Sequence, residues 1–146
     1  MPAKVTDYMT DKVVSVPPDT GIREAFFEMK SHHIRHLPVV EKNKLVGIVS
    51  DRELRRPDWV DESHDIAHAY YLDDKMSVRD VMITNVHVVH TYDSLRKAVR
   101  LLLSNKIGAA PVLDKTERLV GMLSAVDLLR ALEDMIEEGR KGKGGR

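Results

Sequence analysis

The sequence contains no cysteine, so it offers neither a disulfide framework nor a thiolate metal site. It also has no net charge at pH 7, because 23 lysine and arginine residues balance 23 aspartate and glutamate residues. No global positive field therefore attracts nucleic acid. No apolar run approaches the roughly 18 residues of a membrane span, and the N-terminal residues lack the apolar core of a signal peptide. These absences predict a cytoplasmic protein with no nucleic-acid or membrane partner.

What the chain does contain is typical of a soluble globular protein. Its 146 residues are 32 % charged and 42 % hydrophobic, which is an ordinary balance for a chain that buries an apolar core. This length suffices for one compact domain or for two small halves that share a core.

A short stretch that runs from a glycine through a serine to an acidic residue occurs twice. It is GIVSDRE at residues 47–53 and GMLSAVD at residues 121–127, and Leu-Val precedes each copy. Upstream, Met82 follows Met9 by 73 positions, and the offset becomes 74 after one added loop residue. The chain is therefore an internal duplication.

Both copies predict the same order of elements. In the first copy, the β-rich run Val13–Val16 ends at two prolines. A helical stripe comes next, and after it come two apolar runs separated by the polar loop 41–44. The stripes recur at i, i+3, i+4 and i+7, as Ile22, Ala25, Phe26 and Met29 and as Leu95, Ala98, Val99 and Leu102. A helix begins after each serine, so the predicted unit is β-α-β-β-α. Because so small a unit buries little surface, we predict an α/β (α+β) fold of two repeats, packed sheet to sheet about a pseudo-two-fold axis.

The same pattern divides the chain into four predicted segments. These are a first repeat with its N-terminal segment at 1–56, a linker at 57–79, a second repeat at 80–138 and a disordered basic tail at 139–146. Pro57 ends the last helix of the first repeat, and the linker is predicted to carry a short helix over 65–72. Gly139 is predicted as the C-cap of the last helix.

The ordered motifs resemble a known family. The series V-x-S-V-P-P-D, I-R-H-L-P-V-V and L-V-G-I-V-S-D-R-E-L resembles the cystathionine-β-synthase (CBS) domain. The series V-R-D-V-M, K-I-G-A-A-P-V and L-V-G-M-L-S-A-V-D-L resembles a second one. The match covers nearly the whole chain outside the linker and the tail, and the chain is similar to stand-alone CBS pairs, often called Bateman modules.

That resemblance implies a function and its partners. CBS pairs are non-catalytic regulatory modules in signal transduction, they commonly form homodimers, and they regulate a further protein, which here is unidentified. Their ligands contain adenosine, so the resemblance implies AMP, ADP or ATP, or alternatively NAD or S-adenosylmethionine. No catalytic cofactor is implied.

The acidic residue of each serine motif has two compatible roles. Ser50 with Glu53, and Ser124 with Asp127, have the spacing of a capping box. In such a box the serine bonds first-turn N–H groups and stabilises the helix by about 0.5–2 kcal/mol. Alternatively, an aspartate has two acceptor oxygens that can take both hydroxyls of a ribose, while the helix N-terminus favours a nearby phosphate.

The resemblance places each ligand cleft between the serine motif of one repeat and the first strand and turn of the other. The first cleft is predicted to use Lys12, Val13, Val14, Ile34, Arg35, His36, Pro38, Ser124 and Asp127. Val14 and Ile34 are expected to contact adenine. Arg35 and His36 are expected to reach phosphate, because they are the basic groups of the turn; a solvated loop is the alternative.

The second cleft is predicted to bind more weakly or to accept a different ligand. Its residues are Ser50, Glu53, Val86, His87, Ile107, Gly108, Ala109 and Pro111. Glu53 stands in place of aspartate and moves the carboxylate by one methylene, which weakens the clamp on two hydroxyls. Gly108 and Ala109 offer no cation for phosphate, although their small size leaves room for a base.

Two other functions remain as alternatives. His64 and His68 are four residues apart, a spacing that puts two imidazoles on one helix face as in zinc hydrolases. The segment H-D-I-A-H lacks the glutamate base of that motif, and no clear third ligand follows. The sequence therefore predicts no metal site, no catalytic residue and no enzyme. The second alternative is a structural dimerisation or protein-interaction module with empty clefts.

Overall fold

The computed structural model describes residues 3–55 and 76–144. The chain divides into two units: residues 1–13 with 87–146, which we call the terminal unit, and residues 14–86, which we call the central unit. The predicted linker helix and the pair His64 and His68 lie outside the described residues. Each folded unit therefore combines segments that belong to different sequence repeats.

The elements of the second half of the chain repeat those of the first. In chain order they are α1 (Val5–Tyr8), α2 (Ile22–Ser31), β1 (His36–Glu41), β2 (Lys44–Ser50), α3 (Asp51–Arg55), α4 (Val78–Val81), β3 (Val89–His90), α5 (Leu95–Asn105), β4 (Ala109–Leu113), β5 (Leu119–Ser124) and α6 (Ala125–Gly144). The central unit holds the antiparallel pair β1–β2, and the terminal unit holds the order β3–β4–β5. The mixed helix and sheet class predicted from the sequence is thus confirmed.

The predicted hairpins form in both units. In the central unit β1 and β2 pair antiparallel from His36 opposite Ser50 to Glu41 opposite Lys44. The two loop residues, Lys42 and Asn43, have φ values of 52° and 64°. Two consecutive left-handed residues form the tight turn whose twist matches that of the strands it joins. In the terminal unit β4 and β5 pair antiparallel in the equivalent register.

The predicted helical stripes face the cores. Ile22, Ala25 and Met29 of α2 are at most 2 % exposed and pack with β1 and β2 residues such as Leu37 and Val49. In the terminal unit, Leu95 and Ala98 of α5 are buried and pack with Val112 and Leu123. Leu102 of the same stripe is also buried, at 5 % exposed. The stripe prediction is confirmed.

The first predicted strand is much shorter than expected. The run Val13–Val16 pairs at a single residue, Val16, which bridges in parallel to Val39. Its equivalent in the second repeat is the two-residue strand β3, where Val89 pairs with Val112. Pro17 and Pro18 follow Val16 and have no N–H to continue the ladder. Val13 and Val14, like Val86 and His87, therefore lie in irregular segments that precede the pairing residues.

Segments that lead into one repeat pair with the other repeat. We call residues 3–10 and 76–83 the leader segments. Thr10 of the first leader exchanges two backbone hydrogen bonds of 2.8 and 2.9 Å with Met122 in β5. Ile83 of the second leader makes the same pair with Ile48 in β2, at 2.9 and 3.0 Å. Each leader thus pairs, through one residue, with a strand of the repeat to which it does not belong in sequence.

Glycine next to each paired residue permits this close approach. A Cβ on Gly121 would lie 2.6 Å from Met9 Sδ and 3.0 Å from the Thr10 carbonyl oxygen. A Cβ on Gly47 would lie 2.5 Å from Met82 Sδ and 3.1 Å from the Ile83 oxygen. The repeated glycine is therefore explained by the leader that lies across it.

The last helix continues past its predicted end. The sequence predicts that Gly139 caps the helix and that the basic tail is disordered, but α6 runs from Ala125 to Gly144. Gly139 has no φ in the left-handed region, which a glycine C-cap requires. The predicted helix end is wrong, and the glycine is accommodated inside the helix.

Replacing Gly121 tests the leader pairing. We expect Gly121→Ala to lower the free energy of unfolding by about 1–3 kcal/mol, because the new methyl group meets Met9 and the Thr10 carbonyl. The measurement is urea unfolding followed by circular dichroism. Gly139→Ala is the control: its Cβ would meet nothing within 4 Å, so it should not destabilise. Equal stability of the Gly121 variant and the wild type would contradict the close approach.

Candidate functional site

The serine motif of the second repeat starts helix α6 with a reciprocal capping box. The Ser124 N–H donates to Asp127 Oδ2 at 2.9 Å, and the Asp127 N–H donates to Ser124 Oγ at 3.2 Å. The predicted cap is therefore confirmed. The other carboxylate oxygen, Oδ1, lies 3.5 Å from Arg130 Nη1. With a side chain only 6 % exposed, Asp127 is a nearly buried carboxylate held in one orientation.

The serine motif of the first repeat uses its carboxylate differently. The Ser50 N–H donates to Glu53 Oε2 at 2.7 Å, and the Ser50 hydroxyl donates to the same oxygen. Because glutamate has one more methylene than aspartate, its carboxylate can accept hydrogen bonds from both the hydroxyl and the N–H of Ser50. One oxygen of Glu53 is thus committed to its own helix start by two hydrogen bonds.

Each motif lies against the turn of its own repeat. In the terminal unit Ser124 pairs with Ala109, and the Ala125 N–H donates to the Gly108 carbonyl at 2.9 Å. In the central unit Ser50 pairs with His36, and the Asp51 N–H donates to the Arg35 carbonyl at 2.9 Å. Arg35 and His36 of the central unit occupy the positions of Gly108 and Ala109 in the terminal unit. The first turn therefore carries two large basic side chains, and the second carries two small residues.

The imidazole of His36 is poorly suited to act as a cation. Burial lowers the pKa of His36 below its ordinary value; Asp51 and Glu53 act in the opposite direction, and Arg35 lowers it further. The side chain is therefore mainly neutral at pH 7. Of the two predicted phosphate-binding residues in this turn, Arg35 is exposed and carries the permanent charge.

The predicted ligand-binding residues are distributed over both units. The terminal unit holds Lys12, Val13, Ser124 and Asp127 of the first predicted cleft, and His87, Ile107, Gly108, Ala109 and Pro111 of the second. The central unit holds Val14, Ile34, Arg35, His36 and Pro38 of the first, and Ser50, Glu53 and Val86 of the second. The contacts described above join each motif to its own turn, so the predicted grouping across repeats stays a prediction.

Some predicted residues serve the sheets. Pro38 and Pro111 are buried in β1 and β4, and Ile34 packs against the core of the central unit. Lys12 and His87 are exposed.

Arg130 was not predicted from the sequence, although an arginine follows the acidic residue of each motif by three positions, at 56 and 130.

Within residues 3–55 and 76–144, no group of three or more histidine, aspartate or glutamate side chains is placed to hold a metal ion. In the same part of the chain, no helix has both the length and the apolar character needed to cross a membrane.

A comparison with models of known protein families assigns both repeats to one domain family. The family model of the CBS domain matches residues 5–58 and 78–134. The chain belongs to the CBS domain family. The resemblance in the sequence motifs is thereby confirmed. Each matched CBS segment begins at the first residue of a short leader helix, α1 or α4. Each of these helices belongs to the folded unit of the other repeat.

Relatives of this CBS pair include longer proteins. It is 29 % identical over 136 residues to the uncharacterized protein MJ1225 of Methanocaldococcus jannaschii, and the match covers 87 % of this chain and 48 % of MJ1225. The chain spans about half the length, or less, of several curated relatives that it matches.

Solved structures of CBS pairs have the same fold. CBSX2 from Arabidopsis thaliana matches with a TM-score of 0.83 at 28 % identity, covering 94 % of this chain and 99 % of CBSX2. A structure of CBSX2 in complex with AMP matches at 30 % identity with a TM-score of 0.73, covering 91 % and 98 %. The CBS domain pair of MJ0100, in complex with 5-methylthioadenosine and S-adenosyl-L-methionine, matches at 25 % identity with a TM-score of 0.72, covering 89 % and 99 %.

Removing one hydroxyl tests the cap of the second CBS repeat. We expect Ser124→Ala to lower the free energy of unfolding by about 1 kcal/mol, because the Asp127 N–H loses its acceptor. Ser104→Ala, an exposed serine inside α5, is the control and should change stability by less than about 0.5 kcal/mol. Urea unfolding measures both variants. A Ser124 variant as stable as the control would show that the cap contributes nothing.

Proposed function

We propose that this chain is a non-catalytic regulatory module that binds an adenosine-containing ligand, AMP, ADP or ATP, at the start of helix α6. Asp127 is the observation that carries the proposal. Its carboxylate is nearly buried, one oxygen is held by the Ser124 N–H, and the other faces Arg130. A carboxylate fixed in this way is ready to accept hydrogen bonds from a sugar without first being ordered.

The surroundings of Asp127 suit a nucleoside. Gly108 lies beside the motif, is exposed, and has no side chain that would block a sugar or a base. Helix α6 is 20 residues long, and the positive end of its dipole lies at Ser124, where it favours a ligand phosphate. The ribose hydroxyls would donate to the carboxylate, as they do to acidic residues in dinucleotide sites.

Related CBS pairs support the choice of adenosine. AMP, 5-methylthioadenosine and S-adenosyl-L-methionine, the ligands in the complexes of CBSX2 and MJ0100, have adenosine in common. We favour a phosphorylated ligand because the helix start and Arg130 both attract negative charge. NAD and S-adenosylmethionine are the alternatives.

The first repeat contributes less to binding in this proposal. Ser50 donates its N–H and its hydroxyl to one oxygen of Glu53, so that oxygen has little capacity for a ribose hydroxyl. We therefore propose a single strong site per chain.

Regulation requires a second step. A ligand changes the conformation or association of a protein only if it binds one arrangement better than another. In this proposal the ligand at Asp127 favours one such arrangement, and a regulated protein recognises it.

Titration of AMP into the purified protein tests the ligand site. We expect a single AMP per chain, with Asp127→Ala weakening binding about tenfold or more because charge-assisted hydrogen bonds to the carboxylate are lost. Isothermal titration calorimetry gives both the stoichiometry and the affinity. Asp127→Asn should behave similarly while keeping an oxygen for the Ser124 N–H, so that loss of the cap is separated from loss of the ligand contact.

The exposed Glu133→Ala on the same helix is the matched control and should bind AMP normally. No heat at millimolar AMP would contradict an AMP-binding module. Unchanged binding by Asp127→Asn would show that the ligand does not use this carboxylate.

A specific feature of α6 favours dimerisation as a second role. Five of its apolar side chains are between 51 % and 64 % exposed: Val126, Leu129, Leu132, Met135 and Ile136. The position of Val126 is occupied in α3 by the exposed Arg52, so this face is not shared by the two repeats. The five side chains span residues 126–136, so an antiparallel copy of α6 centred near residue 131 would bring the apolar face of one copy opposite that of the other. We propose that α6 of a second copy covers this face.

The oligomeric state tests this second role. We expect a dimer in sedimentation equilibrium, and we expect Leu132→Glu to yield a monomer because a charge would be buried at the contact. Leu103→Glu is the control, since Leu103 is 72 % exposed on α5 and lies outside the proposed contact. A monomeric wild type, or a dimeric Leu132→Glu variant, would contradict the proposal.

A further inference from the structure

Arg130 covers the carboxylate of Asp127 from the solvent side. Its Nη1 lies 3.5 Å from Asp127 Oδ1, and its side chain is 60 % exposed while that of Asp127 is 6 % exposed. The Ser124 N–H occupies the other carboxylate oxygen. Oδ2 therefore has one of its two acceptor positions occupied, unlike Glu53 Oε2, which accepts two hydrogen bonds. Oδ1, which accepts from no backbone N–H in the described contacts, is the oxygen that Arg130 contacts.

The contact is of a kind that a ligand can replace. A distance of 3.5 Å is longer than the common 2.9–3.0 Å of an N–H···O hydrogen bond, so the bond is weak. Because the Arg130 side chain is 60 % exposed, water screens the pair from the cation's side and reduces its contribution to stability. A guanidinium has five N–H groups in a planar fork, and the described contact uses a single nitrogen. Arg130 can therefore leave Oδ1 and remain close to it.

The position of this arginine repeats with the motif. Arg56 follows Glu53, and Arg130 follows Asp127, by three residues. At this spacing a residue lies on the same helix face as the acid, one turn further on. Arg56 lies outside the described residues. The apolar core does not explain the recurrence at 130, because most of the Arg130 side chain is in solvent.

We propose that Arg130 determines the preference of this site for phosphorylated over uncharged adenosine ligands. This inference rests on the function proposed above. Ribose hydroxyls take the place of Arg130 at Asp127 Oδ1, and the released guanidinium pairs with the ligand phosphate through two N–H groups. The same residue thus neutralises the buried carboxylate without ligand and the phosphate with ligand.

The test compares AMP with adenosine in calorimetric titrations. Arg130→Gln should weaken AMP binding about tenfold, the loss expected for a charge-assisted contact, while adenosine binding changes less than about twofold. Arg130→Lys keeps the charge and should retain part of the preference for AMP. Arg140→Gln is the matched control, because Arg140 makes the same i,i+3 contact to Glu137 on the same helix, at 3.7 Å, with both side chains exposed.

The outcomes separate the two proposals. A wild-type protein that binds neither AMP nor adenosine overturns the proposed function and this inference with it. Wild-type binding of AMP with an unaffected Arg130→Gln variant overturns this inference alone. Equal weakening of AMP and adenosine also overturns it, because Arg130 would then only position Asp127. Circular dichroism melting of each variant verifies that the fold is intact.

Discussion

The pairing of each leader segment with the opposite repeat is the interaction on which the rest of the structure depends. Thr10 bonds Met122 and Ile83 bonds Ile48 through reciprocal backbone hydrogen bonds, and Val5 and Val78 enter the cores of the units that the leaders join. A CBS repeat taken alone would lack this strand-like partner and one of its core residues. The unit that buries the apolar surface is therefore assembled from two distant parts of the chain, which makes the folding of one repeat depend on the presence of the other.

Local periodicity predicted the elements because the forces that form them are local. The stripes at Ile22, Ala25 and Met29 and the polar loop between β1 and β2 follow from helix and hairpin geometry. The exchange of leaders was not predictable in this way. Met9 and Met82 are equivalent, as are Gly121 and Gly47, so either leader fits either glycine by local chemistry. The choice is made by tertiary packing. The end of α6 was missed for a similar reason, since a glycine disfavours a helix interior by only about 1 kcal/mol.

The candidate site was predicted in part. The spacing Ser-x-x-Asp identifies a capping box, and the structure contains it at Ser124 and Asp127. Spacing alone did not indicate that Glu53 would take both donors of Ser50, because that contact depends on how far one extra methylene lets the carboxylate turn back. Nor did it identify Arg130, whose relevance depends on the burial of its neighbour. The chemical difference between the repeats, Arg35 and His36 against Gly108 and Ala109, was visible in the sequence, but the lowered pKa of His36 follows from burial.

In the proposed function, the helix cap at Ser124 prepares Asp127 for a ligand. The Ser124 N–H holds Oδ2 in place, so the direction of Oδ1 is set by the start of α6 and not by a flexible side chain. A ligand that replaces Arg130 at Oδ1 changes the charge on the first turn of α6 without breaking the cap. The exposed apolar residues Leu129 and Leu132 lie on the next turn of the same helix. The proposed ligand site and the proposed protein contact are therefore parts of one secondary-structure element, and a shift of this helix is the shortest physical route by which one would influence the other.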